Sequence, residues 1–121
     1  MLMESAGIIV CYRPNTPRLR ELCQRILADG AAVILVDNTE QPYLDRNDLP
    51  VGCRLITLGY NSGIAHAQNA GIAAALERGA RVLVFFDQDS RVEPGLVSSL
   101  VAALDAGAAE VVAPLCVDEL T

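Results

Sequence analysis

Three short, continuous apolar runs constrain this chain more than any other feature: Gly7-Ile-Ile-Val-Cys11, Ala31-Ala-Val-Ile-Leu-Val36 and Val82-Leu-Val-Phe-Phe86. None alternates with polar residues as a half-solvated strand would, and none approaches the roughly 20 residues of a membrane span. Such runs read as strands buried on both faces, as in a parallel sheet. The expectation for Val82 to Phe86 is a strand buried in mid-sheet.

Helical patterns separate the runs. Thr16 and Pro17 make an N-cap and first helical position, and Leu19, Leu22, Cys23, Ile26 and Leu27 then share one face until Gly30. Gln41 to Gly52 reads as a loop, and Arg54 to Leu58 as a short third strand. An Ala-rich helix is expected over Ile64 to Arg78, stopped by Gly79, and the fourth strand spans Arg81 to Phe86. Gly71 inside that helix costs about 1 kcal/mol against Ala, which points to close packing or close ligand approach. Pro94 opens a helix with Leu96, Val97, Leu100, Val101 and Leu104 on one face and Gly107 as its stop; Glu110 to Ala113 is a fifth strand. Strands alternating with helices predict an α/β fold, a mostly parallel sheet with helices on both faces, truncated after the fifth strand, with residues 1–121 as one domain.

Composition narrows the function. The chain is 52% hydrophobic and 20% charged, which suits a folded core rather than a disordered segment. Its net charge of −6 argues against nucleic acid as a partner. The four cysteines, Cys11, Cys23, Cys53 and Cys116, form no C-x-x-C pair and are expected to be reduced and structural. Met1 to Gly7 is short and carries Glu4, so it does not read as a secretory signal. The expectation is a cytoplasmic chain without a membrane span.

Polar clusters follow the strands: Tyr12-Arg13, Asp37-Asn38, Asn61 to Gly63, and Asp87-Gln88-Asp89. In open α/β sheets ligands sit beyond the carboxyl ends of the strands, so the clusters are expected to meet there. Asp87 and Asp89 are spaced to face one divalent ion, with phosphate oxygens and water completing its shell. The same residues also suit a solvated turn. Asp37 can accept a hydrogen bond from a nucleobase or ribose, or close an Asx-turn. Asn61 and Asn69 flank the start of a helix whose N-terminus favours an anion; turn-capping and loop-bonding roles suit them too. Arg13 and Arg91 are candidates for a diphosphate, and His66, the sole histidine, has no evident partner. No G-x-G-x-x-G, P-loop or G-x-S-x-G sequence is present.

The segments "GIIVCYRPN", "VILVDNTE", "GYNSGIAHAQNAGI" and "VLVFFDQDS" resemble the successive motifs of family 2 glycosyltransferases with the GT-A, Rossmann-like fold. The resemblance covers nearly the whole chain. Its most specific part is Asn61, Gly63, Ala65, Ala67, Asn69 and Gly71, followed by a strand ending in Asp-Gln-Asp-Ser. That combination is similar to the bacterial rhamnosyltransferases, which use dTDP-L-rhamnose to build cell-surface polysaccharide. The resemblance implies inverting transfer from a nucleotide sugar to a saccharide or lipid-linked acceptor, at the inner face of the membrane. It implies that Tyr12, Arg13, Asp37, Asn61, Gly63, Asn69, Asp87 and Gln88 hold the nucleotide sugar. Asp87 and Asp89 would then hold Mg²⁺ or Mn²⁺. It also implies a longer protein whose further part supplies the acceptor site and catalytic base, so no base is nominated. A truncated sheet would expose an edge and favour self-association. Two alternatives stand beside this reading: a non-catalytic nucleotide-binding or interaction module of the same fold, and a flavodoxin or response-regulator type of module. The last lacks the Asn-x-Gly helix signature and needs a lysine that this chain does not contain.

Overall fold

The structure, a computed structural model, describes residues 5–105. In chain order it comprises β1 (Ser5–Cys11), α1 (Thr16–Ala28), β2 (Ala32–Asp37), a 3₁₀ turn (Arg46–Asp48), β3 (Cys53–Thr57), α2 (Ile64–Glu77), β4 (Val82–Asp87) and α3 (Leu96–Asp105). The expected fifth strand, the Gly107 stop and Cys116 lie outside the described residues. No helix among the described residues is long and apolar enough to cross a membrane.

Local chemistry accounts for the boundaries. Asn15, in extended conformation, accepts a hydrogen bond from the Arg18 amide at 3.0 Å and caps α1. This corrects the expected cap by one residue: Thr16 and Pro17 are the first helical positions, where proline's missing N–H costs nothing. Gly30, at φ +91°, closes the helix with a bond from its amide to the Leu27 carbonyl. The loop expected between β2 and β3 contains the 3₁₀ turn, held by a reciprocal cap between Asp45 and Asp48.

The strands form one parallel sheet in the order β3-β2-β1-β4. One face packs Ile9, Val33 and Leu35 against Leu19, Cys23 and Ile26 of α1 and Val97 of α3. The other packs Ile8, Ile34 and Val36 against Ala67, Ala74 and Ala75 of α2. Small α2 residues let that helix sit close, and Gly71 shows how close. A Cβ there would lie 2.6 Å from Ile8 Cγ2 and 3.3 Å from Val36 Cγ2. Packing therefore explains the glycine.

β1 and β2 are buried almost throughout, but β4 is not. Among the described residues β4, like β3, is an outer strand, and Phe85 is 46% exposed. Among the described residues β4 is apolar and pairs on one side, with β1; the mid-sheet expectation turns on the fifth strand, which lies outside them. Cys11 and Cys23 are buried and Cys53 half-buried, all as free thiols. A hydrogen bond to the Cys53 sulfur, followed by burial, pushes the Cys23 thiol pKa up; the same bond pulls that of Cys53 down.

Candidate functional site

Register brings the strand ends together. Cys11 pairs with Asp37, Asp37 with Thr57, and Val10 with Asp87, so the strands finish nearly level. Above them lies a cleft of about 590 Å³, lined by Val10, Cys11, Tyr12, Asn38, Asn61, Gly63, Ile64, Asp87, Gln88 and Asp89.

Asp37, the last residue of β2, has no exposed surface. Its Oδ1 accepts hydrogen bonds from the Thr39 amide at 3.0 Å and the Thr39 hydroxyl at 2.6 Å. The Asx-turn role is therefore real. Its Oδ2 is buried with no hydrogen-bond partner among the described residues. Burial, with Asp37 close by, pushes the neighbouring Cys11 thiol up to about 12.

Asn38 joins the end of β2 to the entry of α2. Its Oδ1 accepts from the Ser62 amide at 3.2 Å and hydroxyl at 2.8 Å, while its Nδ2 donates to the Gly63 carbonyl at 3.3 Å. Asn61 Oδ1 accepts from the Gly63 amide at 3.1 Å. No side chain caps α2, so its N-terminus keeps a partial positive charge at the cleft rim. Sequence reasoning nominated neither Thr39 nor Ser62 and gave Asn38 no role. The available signal was a polar triplet, Asp37 to Thr39, directly after an apolar strand.

Tyr12 and Gln88 pair across the cleft. The Tyr12 amide donates to Gln88 Oε1 at 2.6 Å, and Gln88 Nε2 donates to the Tyr12 carbonyl at 3.2 Å. The Tyr12 hydroxyl donates to Glu40 at 2.9 Å, a bond that raises the phenol pKa. Arg13 has left-handed backbone, φ +47°. Its guanidinium lies 5.1 Å from the Tyr12 ring centroid and 3.8 Å from Glu40, and its amide donates to Thr39 Oγ1 at 2.8 Å.

Asp87 to Ser90 form a turn, with the Ser90 amide on the Asp87 carbonyl at 3.0 Å and the Asp87 amide on Ser90 Oγ at 3.1 Å. The turn uses backbone and serine only. The Asp87 and Asp89 carboxylates are exposed and line the cleft. The turn role and the ion-facing role are therefore compatible. The described residues contain no group of three or more His, Cys, Asp or Glu able to enclose a metal. Two exposed carboxylates at the rim suit Mg²⁺, which keeps water and takes phosphate oxygens rather than a full protein cage.

Six of the nominated residues thus line one cleft: Tyr12, Asn61, Gly63, Asp87, Gln88 and Asp89. Asp37, which is buried, and Arg13 are outside the cleft lining. Asn69 is exposed on α2, outside the cleft lining. His66 is exposed, its ring 6.5 Å from that of Tyr60. Arg91 lines an adjoining hollow of about 420 Å³ with Arg18 and Arg25, and Gln88 and Asp89 line both.

A parallel α/β sheet with a polar cleft across its strand ends defines a nucleotide-binding type of architecture. Residues 8–119 match the sequence profile of glycosyl transferase family 2, and the chain belongs to that family, whose fold is the GT-A, Rossmann-like one. Among similar proteins, a dTDP-rhamnosyl transferase, RfbF of Shigella flexneri, is 37% identical over 113 residues. The alignment covers 93% of this chain and 38% of the relative, so the chain spans well under half of that protein's length.

Proposed function

We propose that this chain forms the donor side of an inverting glycosyltransferase that takes dTDP-L-rhamnose and passes the sugar to a cell-surface polysaccharide or lipid-linked acceptor. One observation carries the reading. Residues far apart in sequence line one cleft, and that cleft presents two exposed carboxylates, Asp87 and Asp89. The relative named for dTDP-rhamnose supports the choice of donor.

In this reading Asp37 is the acid of the nucleotide side, tied through Thr39 to Arg13, and Tyr12 and Arg13 wall that side. The N-terminus of α2 favours the anionic part of the ligand. Asp87 and Asp89 would hold Mg²⁺ or Mn²⁺, which when bound offsets charge on the diphosphate. The overall reaction joins an acceptor oxygen to the anomeric carbon as the bond to the diphosphate breaks. The acceptor proton goes to a base that is not assigned here.

Calorimetry tests the proposal: dTDP is titrated with Mn²⁺ or EDTA, with UDP as competitor. Binding should need the metal, prefer dTDP, and weaken about tenfold or more in Asp89→Asn, the scale of a lost charge-assisted contact. A folded chain that binds neither nucleotide with metal present overturns the reading for this chain.

Binding without transfer is the second reading. It is favoured by the cleft itself, where among the described residues the only lining carboxylates are Asp87 and Asp89. Release of dTDP from dTDP-L-rhamnose in the presence of acceptor separates the two.

A further inference from the structure

We infer that Gln88 is a positioning residue: its amide clamps the segment bearing Asp87 and Asp89 to the segment bearing Tyr12 and Arg13. The ion-facing and nucleotide-facing sides of the cleft then hold one geometry. The clamp is read from the fold; its consequence for ligands rests on the donor-site proposal above.

The argument begins where the sheet ends. β1 and β4 pair in register as far as Val10 and Asp87. Beyond that point the chain turns back, with the Ser90 amide on the Asp87 carbonyl, and no longer runs alongside Tyr12. The Tyr12 peptide would lose its partner at the rim of the cleft. A glutamine side chain carries the same groups as a peptide, one acceptor oxygen and a donor nitrogen. Gln88 supplies both, taking the Tyr12 amide at 2.6 Å and giving to the Tyr12 carbonyl at 3.2 Å. It extends the ladder by one position with a side chain in place of a strand.

The bonds continue from there. The Arg13 amide donates to Thr39 Oγ1 at 2.8 Å, and that hydroxyl donates to Asp37 Oδ1 at 2.6 Å. A connected path therefore runs from the Asp87–Asp89 turn, through Tyr12 and Arg13, to the buried acid of β2. Such paths tend to reinforce one another. Arg13 needs holding, since φ +47° is a region that side-chain-bearing residues adopt at a cost. With its oxygen and one N–H engaged, the Gln88 amide acts through Tyr12 rather than as a principal contact to the donor.

The test uses this chain and its Gln88→Met variant, which keeps the length of the side chain and removes both hydrogen bonds. Amide hydrogen exchange by NMR is the first measurement. Tyr12 and Arg13 should exchange about tenfold faster or more in Gln88→Met, the scale of two ordinary hydrogen bonds. Ile9 and Leu35 should stay protected, which shows that the fold is intact. Unchanged exchange at Tyr12 overturns the inference, whatever the nucleotide does. The second measurement is the ratio of dTDP affinities with and without Mn²⁺. It should fall about tenfold in Gln88→Met while metal-free affinity changes little. Equal loss with and without the ion would mean that Gln88 contacts the nucleotide itself, and would overturn the inference. If the parent chain binds no dTDP, the donor-site proposal falls, and the exchange data still decide the clamp.

Discussion

β2 and β4 end alike, in Val36-Asp37-Asn38 and Phe86-Asp87-Gln88, yet Asp37 has no exposed surface while Asp87 and Asp89 stand in solvent. β2 lies between β1 and β3, with α1 on one face and α2 on the other, and Asn38 and Thr39 bury its carboxyl end. β4 is one of the two outer strands among the described residues and ends in an open turn. The same residue type at the same place in a strand therefore has two different chemistries. A dry carboxylate with one oxygen bonded and one orphaned is a fixed acceptor of defined direction. Wet carboxylates on a turn suit a hydrated ion that must exchange water for phosphate.

The largest test of this contrast compares neighbours in register. Ile8 and Phe85 face each other across β1 and β4, at 1% and 46% exposure. Ile8→Ala should cost about 2–5 kcal/mol in urea unfolding, as buried truncations do. Phe85→Ala should cost roughly 1 kcal/mol, because much of its ring is already in water. Equal costs would mean that β4 is covered as fully as β1.

The acids themselves give the next effect. Asp37→Asn places an amide N–H where the orphaned Oδ2 now lies, and should destabilise by about 1–3 kcal/mol. Asp89→Asn should change stability by less than about 0.5 kcal/mol, as exposed substitutions do, while abolishing the metal dependence of dTDP binding. A thermal-melt comparison of the two variants checks this; matching melting temperatures would erase the contrast.

The smallest effect appears only in alkali. The Cys11 thiol titrates near 9.0 when unfolded and is held up to about 12 in the fold, chiefly by burial. Between those values the unfolded chain loses the proton first, so stability falls as pH rises through that window and is fully present below it. Cys11→Ala should flatten that part of a stability profile measured by denaturant titration across the same range. An unaltered slope would show that the thiol meets water more freely than its burial beside Asp37 implies.

Much of the site was legible because its signals are local. Apolar runs ending in Asp marked the strand ends, and Asn61 with Gly63 marked the entry to α2. Gly71 showed that something approached closely, and only the packing identified Ile8 as its neighbour. Thr39 and Ser62 escaped notice because short hydroxyl residues after a strand look like ordinary turn chemistry. Their partners, Arg13 and Asn38, lie 26 and 24 residues away.

The alternation of strands and helices, and the acids that end two strands, follow from local patterns along the chain. Period, run length and turn residues act within a few positions of each other. The tertiary structure alone decided that Asp37 is dry, that Asp87 and Asp89 are wet, and that Gln88 meets Tyr12 across 76 residues. Depth and partnership depend on which strands become neighbours. The order β3-β2-β1-β4 is a property of the packed sheet, and no single stretch of the chain carries it.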